Sequence, residues 1–379
     1  MRSFLICILT GVIVLAGCAS NKYNSGIKQA EIFIRARQYD KAEYQLKNLI
    51  KAYPQNPEPY YLYGLVHYST ENYYECLINF DKAERYGYNR PENMYLQKGV
   101  ALYHTGNREE ADKNLSLSLE RNQTPLAQKY LGIVRFESND YSGATEPLKK
   151  AVVSFPDDSR INHYLGVALF KEGNTVESLK YSKKALMLDP NNLDLVFQTA
   201  NLMMLDEQYN DAIELYNSIP VDSYYSEKSL YNSSEAYIKL GEYNSALQLL
   251  KYLFEKNPND YNIRYNLSAV MIQTENYSDA LDILLGLYNT NRDNPHVAYN
   301  LGLVYQKLAQ TDMSTQFYDL AVSIEPLNAQ FRYAYGFILG ISGKTREAAR
   351  QMEAAVKILP DYTDARNWLD NYRKNTFPN

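Results

Sequence analysis

The sequence predicts an all-α solenoid, a row of stacked helical hairpins that ends in a capping helix. Two series of residues carry this prediction, because a small residue inside each hairpin and a proline near its end recur at one spacing. Between these markers, apolar residues return every three or four positions, as they do on one face of a helix. We expect about ten hairpins in residues 23–362 and a capping helix and tail in residues 363–379.

A small residue early in each second helix sets the period. Successive markers lie 34, 35 and 33 residues apart, and then 34 residues apart six times: Ala42, Cys76, Ala111, Ala144, Ser178, Ala212, Ala246, Ala280, Ser314 and Ala348. The first helices carry a second series in step: Ala30, Gly64, Gly99, Gly132, Gly166, Ala200, Ser234, Ser268, Gly302 and Gly336. Antiparallel helices approach closely only where their side chains are small, so both series mark the crossing inside a hairpin.

Prolines mark the ends of the second helices, because proline lacks the backbone donor and clashes with the preceding turn. They recur at one period or a multiple of it: Pro54, Pro156, Pro190, Pro258, Pro326 and Pro360. The sixth hairpin differs, with Pro220 inside its expected second helix and Tyr224 at the usual proline position. We expect a shortened helix and an irregular joint at residues 220–226, which is either a hinge or a local kink.

Composition indicates an ordinary folded chain. Its 379 residues are 45% hydrophobic and 22% charged, with a net charge of -5 and no clustered basic tract of the kind that binds nucleic acid. Repeat proteins grow by one unit at a time, so the length is consistent with a single solenoid. Near the end, Trp368, Leu369 and Tyr372 share a helical spacing and are expected to cover the last hairpin, with Trp368 packed rather than bound to a ligand.

The first 22 residues predict export and attachment to lipid. An apolar run from Phe4 to Val14 is too short to span a bilayer and suits a secretory signal in residues 1–17. Residues 15–18, Leu-Ala-Gly-Cys, resemble the bacterial lipobox, in which Cys18 becomes the lipidated first residue. An uncleaved anchor or a signal cut elsewhere are the alternatives. By resemblance to such lipoproteins, Ala19 after the cysteine implies that the protein is sorted to the outer membrane and faces the periplasm. Residues 18–22 leave almost no tether.

No motif in the sequence predicts catalysis. The histidines lie in four different hairpins, without the close spacing of helical metal ligands: His67, His104, His163 and His296. The stretch from Gly340 to Thr345 imitates the end of a phosphate loop, but Ile338 stands where that loop requires glycine, and Gly343 falls at a hairpin turn. Cys76 is expected to be buried in place of an alanine rather than reactive. We expect no enzyme, no metal and no small-molecule cofactor.

The hairpins resemble the tetratricopeptide repeat, whose pattern can be read at Gly241, Tyr243, Ala246 and Pro258. The resemblance covers residues 23–362 and implies a right-handed α–α superhelix whose first helices line a concave groove. One first-helix position carries Ile27, Tyr61, Leu96, Lys129 and His163, and then only aromatic residues: Phe197, Tyr231, Tyr265, Tyr299 and Tyr333. Three asparagines follow these tyrosines directly: Asn232, Asn266 and Asn300.

This aromatic and amide ladder has two alternative interpretations. It is either part of the family scaffold or a groove for an extended partner segment, since tyrosine gives a rigid amphipathic surface and asparagine both donates and accepts. The basic clamp of some family members is absent, because Ile133 rather than asparagine follows Lys129 by four residues. We expect a lipid-anchored, periplasm-facing adaptor for envelope proteins in a pilus, secretion or outer-membrane complex. An adaptor of peptidoglycan hydrolases and a glycan-binding component of polysaccharide export are the alternatives.

Overall fold

The computed structural model of the chain describes residues 21–90, 92 and 94–376. Within them the backbone forms α-helices joined by short connections, and no strand occurs. The all-α solenoid fold predicted from the sequence is therefore confirmed. The predicted signal in residues 1–17, the predicted lipidation site Cys18 and the last residues of the predicted tail, 377–379, lie outside the described residues.

Each hairpin consists of a first helix and a second helix. The first helices are α1 (residues 21–35), α3 (Pro57–Ser69), α5 (Tyr95–His104), α7 (Pro125–Glu137), α9 (Ser159–Lys171), α11 (Leu193–Leu205), α13 (Ser226–Leu240), α15 (Tyr261–Gln273), α17 (Pro295–Lys307) and α19 (Ala329–Ile341). The second helices are α2 (Tyr39–Ala52), α4 (Tyr73–Arg85), α6 (Arg108–Arg121), α8 (Tyr141–Ser154), α10 (Thr175–Leu188), α12 (Tyr209–Asn217), α14 (Tyr243–Lys256), α16 (Tyr277–Thr290), α18 (Thr311–Ile324) and α20 (Thr345–Ile358). A last helix, α21 (Thr363–Thr376), follows them.

One residue with a left-handed backbone forms the turn inside each hairpin. These residues have φ between 55° and 85°: Arg37, Glu71, Gly106, Asn139, Gly173, Glu207, Gly241, Glu275, Ala309 and Gly343. At Gly173 the preceding helix ends in two backbone bonds of 2.9 Å, from Gly173 to Phe170 and from Asn174 to Leu169, which is the Schellman arrangement. Glycine adopts this conformation freely, whereas each other residue type there carries a cost of about 1–2 kcal/mol.

The predicted close crossing inside the hairpins is confirmed. All ten second-helix markers are fully buried. In hairpin α7–α8, a Cβ added to Gly132 would lie 2.7 Å from the Leu148 side chain, and at Gly302 it would lie 2.6 Å from Tyr318. Carbon atoms do not approach so closely, so glycine is needed at the crossing of these two hairpins. The facing residue lies four positions after the marker of the second helix.

Each predicted helix-ending proline lies two residues beyond its helix, as α10, which ends at Leu188 before Pro190, illustrates. The exception is α12, which has nine residues, while the other second helices have 13 or 14. A stretch without helix follows it, from Ser218 to Tyr225, and contains Pro220. The short helix agrees with the irregularity expected from the sequence, and a hinge at residues 220–226 stays a prediction.

The repeats, expected as one solenoid, form two compact units that divide between Leu195 and Val196, within α11. We call the residues up to Leu195 unit 1 and those from Val196 unit 2. Inside the units, first helices of neighbouring hairpins contact one another: α3 with α5, α5 with α7, and α7 with α9 in unit 1, and α15 with α17 in unit 2. Each unit therefore presents a surface built by its first helices, which we call its first-helix face.

At the end of unit 2, α21 packs on α20 and buries Ala365 and Leu369. Trp368 packs against the cluster around Met352, and its ring stacks on Tyr372 with centroids 5.6 Å apart. These contacts are those of a cap, because they cover apolar surface that a further hairpin would otherwise bury.

Candidate functional site

The aromatic ladder lies on the first helices of unit 2, from α11 to α19. Its side chains are half-buried: Phe197, Tyr231, Tyr265, Tyr299 and Tyr333. Phe197 stacks on Tyr225 with ring centroids 4.8 Å apart, and Tyr299 stacks on Phe331 at 5.0 Å. In the first hairpin the equivalent residue, Ile27, is only 6% exposed, so this position does not face solvent in every hairpin.

The three predicted asparagines donate hydrogen bonds to the preceding hairpin. Asn266 Nδ2 donates to the Tyr231 hydroxyl at 2.9 Å. Asn300 bonds to the Tyr265 hydroxyl, one hairpin further along. Asn232 Nδ2 donates to an asparagine side chain of α11 at 2.8 Å. The structure thus brings the predicted residues together as ties between neighbouring hairpins, so the ladder contributes to the scaffold as well as to the surface.

Burial raises the pKa of the ladder hydroxyls. For Tyr231, burial and then the nearby Glu235 raise the pKa to about 12, although the bond from Asn266 lowers it in part. Burial also raises the pKa of Tyr265 and Tyr299. These two hydroxyls accept a bond from an amide of the protein and keep their own proton, which they can donate to a carbonyl group of a partner.

The series of asparagine hydrogen bonds between hairpins does not continue at α19, where a hollow lies beside the ladder. Ala334 occupies the position that asparagine holds in the three preceding hairpins. No amide from this position reaches Tyr299, and Gln330 Nε2 instead donates to its hydroxyl at 3.1 Å. The small alanine side chain leaves a hollow of about 220 Å³. We call it the C-terminal hollow, and its lining is Tyr299, Leu303, Gln306, Tyr318, Gln330, Tyr333, Ala334, Phe337 and Tyr362.

The C-terminal hollow has aromatic walls and amide groups, and no charged side chain lines it. Tyr333 packs on Tyr362 with ring centroids 5.0 Å apart, and Phe337 is 37% exposed. The Tyr318 hydroxyl donates to Gln306 Oε1 at 3.0 Å, which leaves the Gln306 amide nitrogen as a donor. An apolar group with a nearby hydrogen-bonding group suits such a lining, because apolar walls supply contact and the polar atoms fix orientation.

The same ladder position in unit 1 carries neither phenylalanine nor tyrosine in the two hairpins before α11. Lys129 pairs with Asp158 at 2.6 Å and lies over the ring of Phe155. His163 is half-buried, and burial lowers its pKa below the ordinary histidine value. Both residues therefore belong to the packing of unit 1, and the continuous aromatic ladder is confined to unit 2.

The first-helix face of unit 1 instead centres on Glu137, a residue that the sequence pattern did not reveal. Arg108 donates to its carboxylate at 3.1 Å, and Arg160 donates to the other oxygen. The hydroxyls of Tyr103 and Tyr164 also donate to it, each at 3.2 Å. Burial alone would raise the pKa of Glu137, but the bonds from Arg108 and Arg160 hold it below its usual value. The cluster joins three successive hairpins, from α5 to α9.

The other predicted candidates have structural places. Cys76 is fully buried, and burial raises its pKa to about 12, which confirms the expectation of an alanine-like residue. Gly343 has a φ of 79° and forms a hairpin turn, as predicted for the sequence that imitates a phosphate loop. Among the described residues, no group of three His, Cys, Asp or Glu side chains is placed to hold a metal ion. In the same residues no helix combines the length and apolar character that crossing a bilayer needs.

Three family models, each described as a tetratricopeptide repeat, match residues 27–75, 237–303 and 295–326. The last match coincides with hairpin α17–α18 and its closing proline. The chain carries tetratricopeptide repeats. Proteins built from tetratricopeptide repeats mediate protein–protein interactions as scaffolds. The resemblance read from the residues is confirmed for the repeat itself, and the lipoprotein type stays a prediction.

Curated relatives share part of this repeat region. The chain is 28% identical over 138 residues to the mitochondrial import receptor subunit TOM70 of Saccharomyces cerevisiae, which covers 36% of this chain and 21% of the relative. It is 24% identical over 204 residues to a DnaJ homolog subfamily C member 7 homolog of Dictyostelium discoideum, with 52% and 34% covered. The chain thus spans about a fifth to a third of these relatives. A solved tetratricopeptide repeat protein of Parabacteroides merdae is 15% identical, with 74% of this chain and 97% of that chain covered and a TM-score of 0.43.

Proposed function

We propose that the chain is a binding scaffold, without catalysis of its own, that takes an extended uncharged segment of an envelope protein along the first helices of unit 2. The C-terminal hollow carries this proposal, because it combines aromatic walls, amide groups and the absence of charge. An apolar side chain of the segment enters beside Phe337. The hydroxyl protons of Tyr265 and Tyr299 and the amide of Gln306 donate to its backbone carbonyls.

The proposed groove follows the ladder residues: Phe197, Tyr231, Asn232, Tyr265, Asn266, Tyr299, Asn300 and Tyr333. Within it Asn266 and Asn300 already bond to a ladder tyrosine of the preceding hairpin, so their role is to hold the tyrosine rings at a fixed spacing. Rings that are held in place lose little conformational freedom when a partner binds, which favours affinity. The tyrosine faces and the C-terminal hollow then supply most of the contact.

An array of synthetic extended peptides that differ in charge and apolar content tests the groove. We expect the protein to prefer uncharged peptides with one large apolar residue. Phe337→Ser removes one wall, and Ala334→Asn fills the hollow, so each is expected to weaken binding about tenfold, which corresponds to about 1.4 kcal/mol. Val221→Ser is the matched control, because Val221 is exposed and apolar but does not line the hollow. Undiminished binding by both hollow variants, with circular dichroism unchanged, contradicts the proposal.

We also propose that Cys18 carries lipid and holds the chain at the outer membrane, facing the periplasm, where it serves the assembly of a pilus, secretion or outer-membrane complex. The lipobox resemblance of the sequence that ends at Cys18 supports this placement. Labelling with palmitate is expected to mark the chain and its Cys76→Ala variant, but not Cys18→Ser. Label that persists in Cys18→Ser would remove the anchor from the proposal.

A glycan-binding role in polysaccharide export is the second candidate. The observation in its favour is the pair of partly exposed rings, Tyr333 and Phe337, beside amide groups, since sugar rings stack on aromatic faces and bond to amides. Titration with oligosaccharides from the organism's own polysaccharide separates the two candidates. Saturable glycan binding that Tyr333→Ala abolishes, together with no binding to the peptide array, would favour the glycan.

A further inference from the structure

The first hairpin, α1–α2, is basic in a chain that is acidic as a whole. Residues 21–52 contain seven Lys and Arg against three Asp and Glu, a net charge of +4, whereas the entire chain has a net charge of -5. All seven basic side chains are exposed: Lys22, Lys28, Arg35, Arg37, Lys41, Lys47 and Lys51. Of the three acidic residues only Asp40 is exposed to the same degree. The hairpin therefore presents a positive surface.

Most of this positive charge has no acidic partner. Lys47 pairs with Glu43 at 2.6 Å, and Lys41 lies 5.9 Å from the centre of the Phe33 ring. Among the residues that the structure describes, no other ion pair involves a basic residue of this hairpin. Solvated surface cations of this kind gain more from an external anionic surface than from isolated surface pairs.

Exposed apolar side chains lie among the basic ones. On α1, Ile32 is 56% exposed and lies one helical turn after Lys28. On α2, Tyr44 is 71% exposed and follows Lys41 by three residues and precedes Lys51 by seven. These spacings place each apolar residue on the same helix face as its basic neighbours. An exposed apolar side chain between lysines is typical of a surface that lies in the interface of a membrane.

We propose that the exposed sides of α1 and α2 lie on an anionic phospholipid surface, with the basic side chains at the headgroups and Ile32 and Tyr44 inserted between them. The inference rests on the proposed lipid anchor, because Cys18 precedes Lys22 by only four residues and would hold the hairpin at the bilayer. A tyrosine suits that position, since its ring is apolar and its hydroxyl reaches water. A nucleic acid or an acidic protein would satisfy the charge but gives no reason for the two apolar residues.

Vesicle sedimentation tests the inference on the mature chain, from residue 18 onward, with Cys18→Ser so that no acyl chain contributes. We expect binding to vesicles that contain phosphatidylglycerol and not to pure phosphatidylcholine vesicles, and we expect high salt to weaken it. A variant with four basic residues of the hairpin changed to Gln, at Lys28, Arg35, Lys41 and Lys51, is expected to bind at least about tenfold more weakly. A control variant changes four exposed lysines elsewhere, Lys113, Lys150, Lys180 and Lys239, by the same charge and keeps its binding.

The double variant Ile32→Ser and Tyr44→Ser is expected to weaken vesicle binding at unchanged charge. Equal loss of binding in the hairpin variant and the control variant would overturn the inference. So would tighter binding to duplex DNA or to polyglutamate than to the anionic vesicles. Palmitate labelling is measured separately. Labelling without vesicle binding would contradict the proposed contact of the hairpin with phospholipid and leave the proposed lipid anchor intact. Vesicle binding without labelling would support the contact and contradict the anchor.

Discussion

The first-helix faces of the two units differ in how neighbouring hairpins are joined. In unit 1, Glu137 joins three hairpins through Arg108 and Arg160, so the connection is charged. In unit 2, Asn266 joins its hairpin to the preceding one through Tyr231, so the connection is neutral. The crossing inside the hairpins is the same in both units. The scaffold thus leaves the chemistry between hairpins free to vary, and in unit 2 the hollow beside the last tyrosines has no charged side chain in its lining.

Overpacking the crossing is expected to have the largest effect, because both units depend on it. Ala246 is fully buried, so Ala246→Leu is expected to destabilise unit 2 by about 1–3 kcal/mol. Lys251→Leu, on the exposed side of the same helix, is expected to stay within about 0.5 kcal/mol. Hydrogen exchange of α13 and α14 is the suitable measurement, since two units need not unfold in one transition. Equal exchange in both variants would show that the helix faces are misassigned.

The charged cluster of unit 1 is expected to respond to pH. The folded-state pKa of Glu137 is lowered, so its stabilisation is present above the unfolded-state pKa of about 4.3 and is lost as the pH falls through the lower folded-state value. Glu137→Gln is expected to cost about 1–2 kcal/mol at neutral pH and to remove this dependence. Urea midpoints of unit 1 measured from about pH 7 to about pH 3 check it. A variant with the same acid response as the parent would contradict the role of Glu137.

The hydrogen bond between Asn266 and Tyr231 in unit 2 is expected to contribute less stability than the Glu137 cluster of unit 1, and this contribution is expected to be insensitive to salt. Asn266→Ala leaves the Tyr231 hydroxyl without its donor and is expected to cost about 1 kcal/mol. Asn244→Ala, at an exposed position of α14, is the control and is expected to cost less than about 0.5 kcal/mol. Midpoints at low and high salt then compare the units directly. If salt reduces the effect of Asn266→Ala as much as that of Glu137→Gln, the distinction between charged and neutral connections fails.

The smallest effect is expected at the turns, in which the two units are alike. Ala309 has a φ of 57°, a conformation that costs an alanine more than a glycine. Ala309→Gly is therefore expected to stabilise unit 2 by about 0.5 kcal/mol, after the entropy of the unfolded chain is subtracted. Ala269→Gly, inside α15, is expected to destabilise by up to about 1 kcal/mol. Loss of stability in both variants would show that the turn at Ala309 is not strained.

Features that depend on short-range chemistry could be predicted from the sequence. Pro190 and Pro258 indicate where α10 and α14 end, because a proline excludes a helix locally. Gly132 and Gly302 indicate the crossing, because only a small residue fits there. The position of the aromatic ladder was also predictable, since a 34-residue spacing places its members on successive first helices.

Side-chain partners between hairpins could not be predicted. Tyr231 and Asn232 are neighbours in sequence, but consecutive residues of a helix point in different directions. The actual partner of Tyr231 is Asn266, 35 residues later. Glu137 and Arg160 occupy unrelated positions of the repeat, so no periodic series contains both. Such pairs depend on the rotation between successive hairpins, which the spacing of residues does not specify.

The spacing of the tyrosine–asparagine bonds has a consequence for how such a chain can change in length. Asn266 and Asn300 both bond to a tyrosine located 35 residues earlier, so each bond spans one repeat and one further residue. Deleting one whole repeat that includes Asn266 would bring Asn300 opposite Tyr231, and the same bond could form again. Gene duplications and deletions of one repeat length therefore preserve the ladder, whereas the loss of a single codon in a first helix would put the bond that spans it out of register.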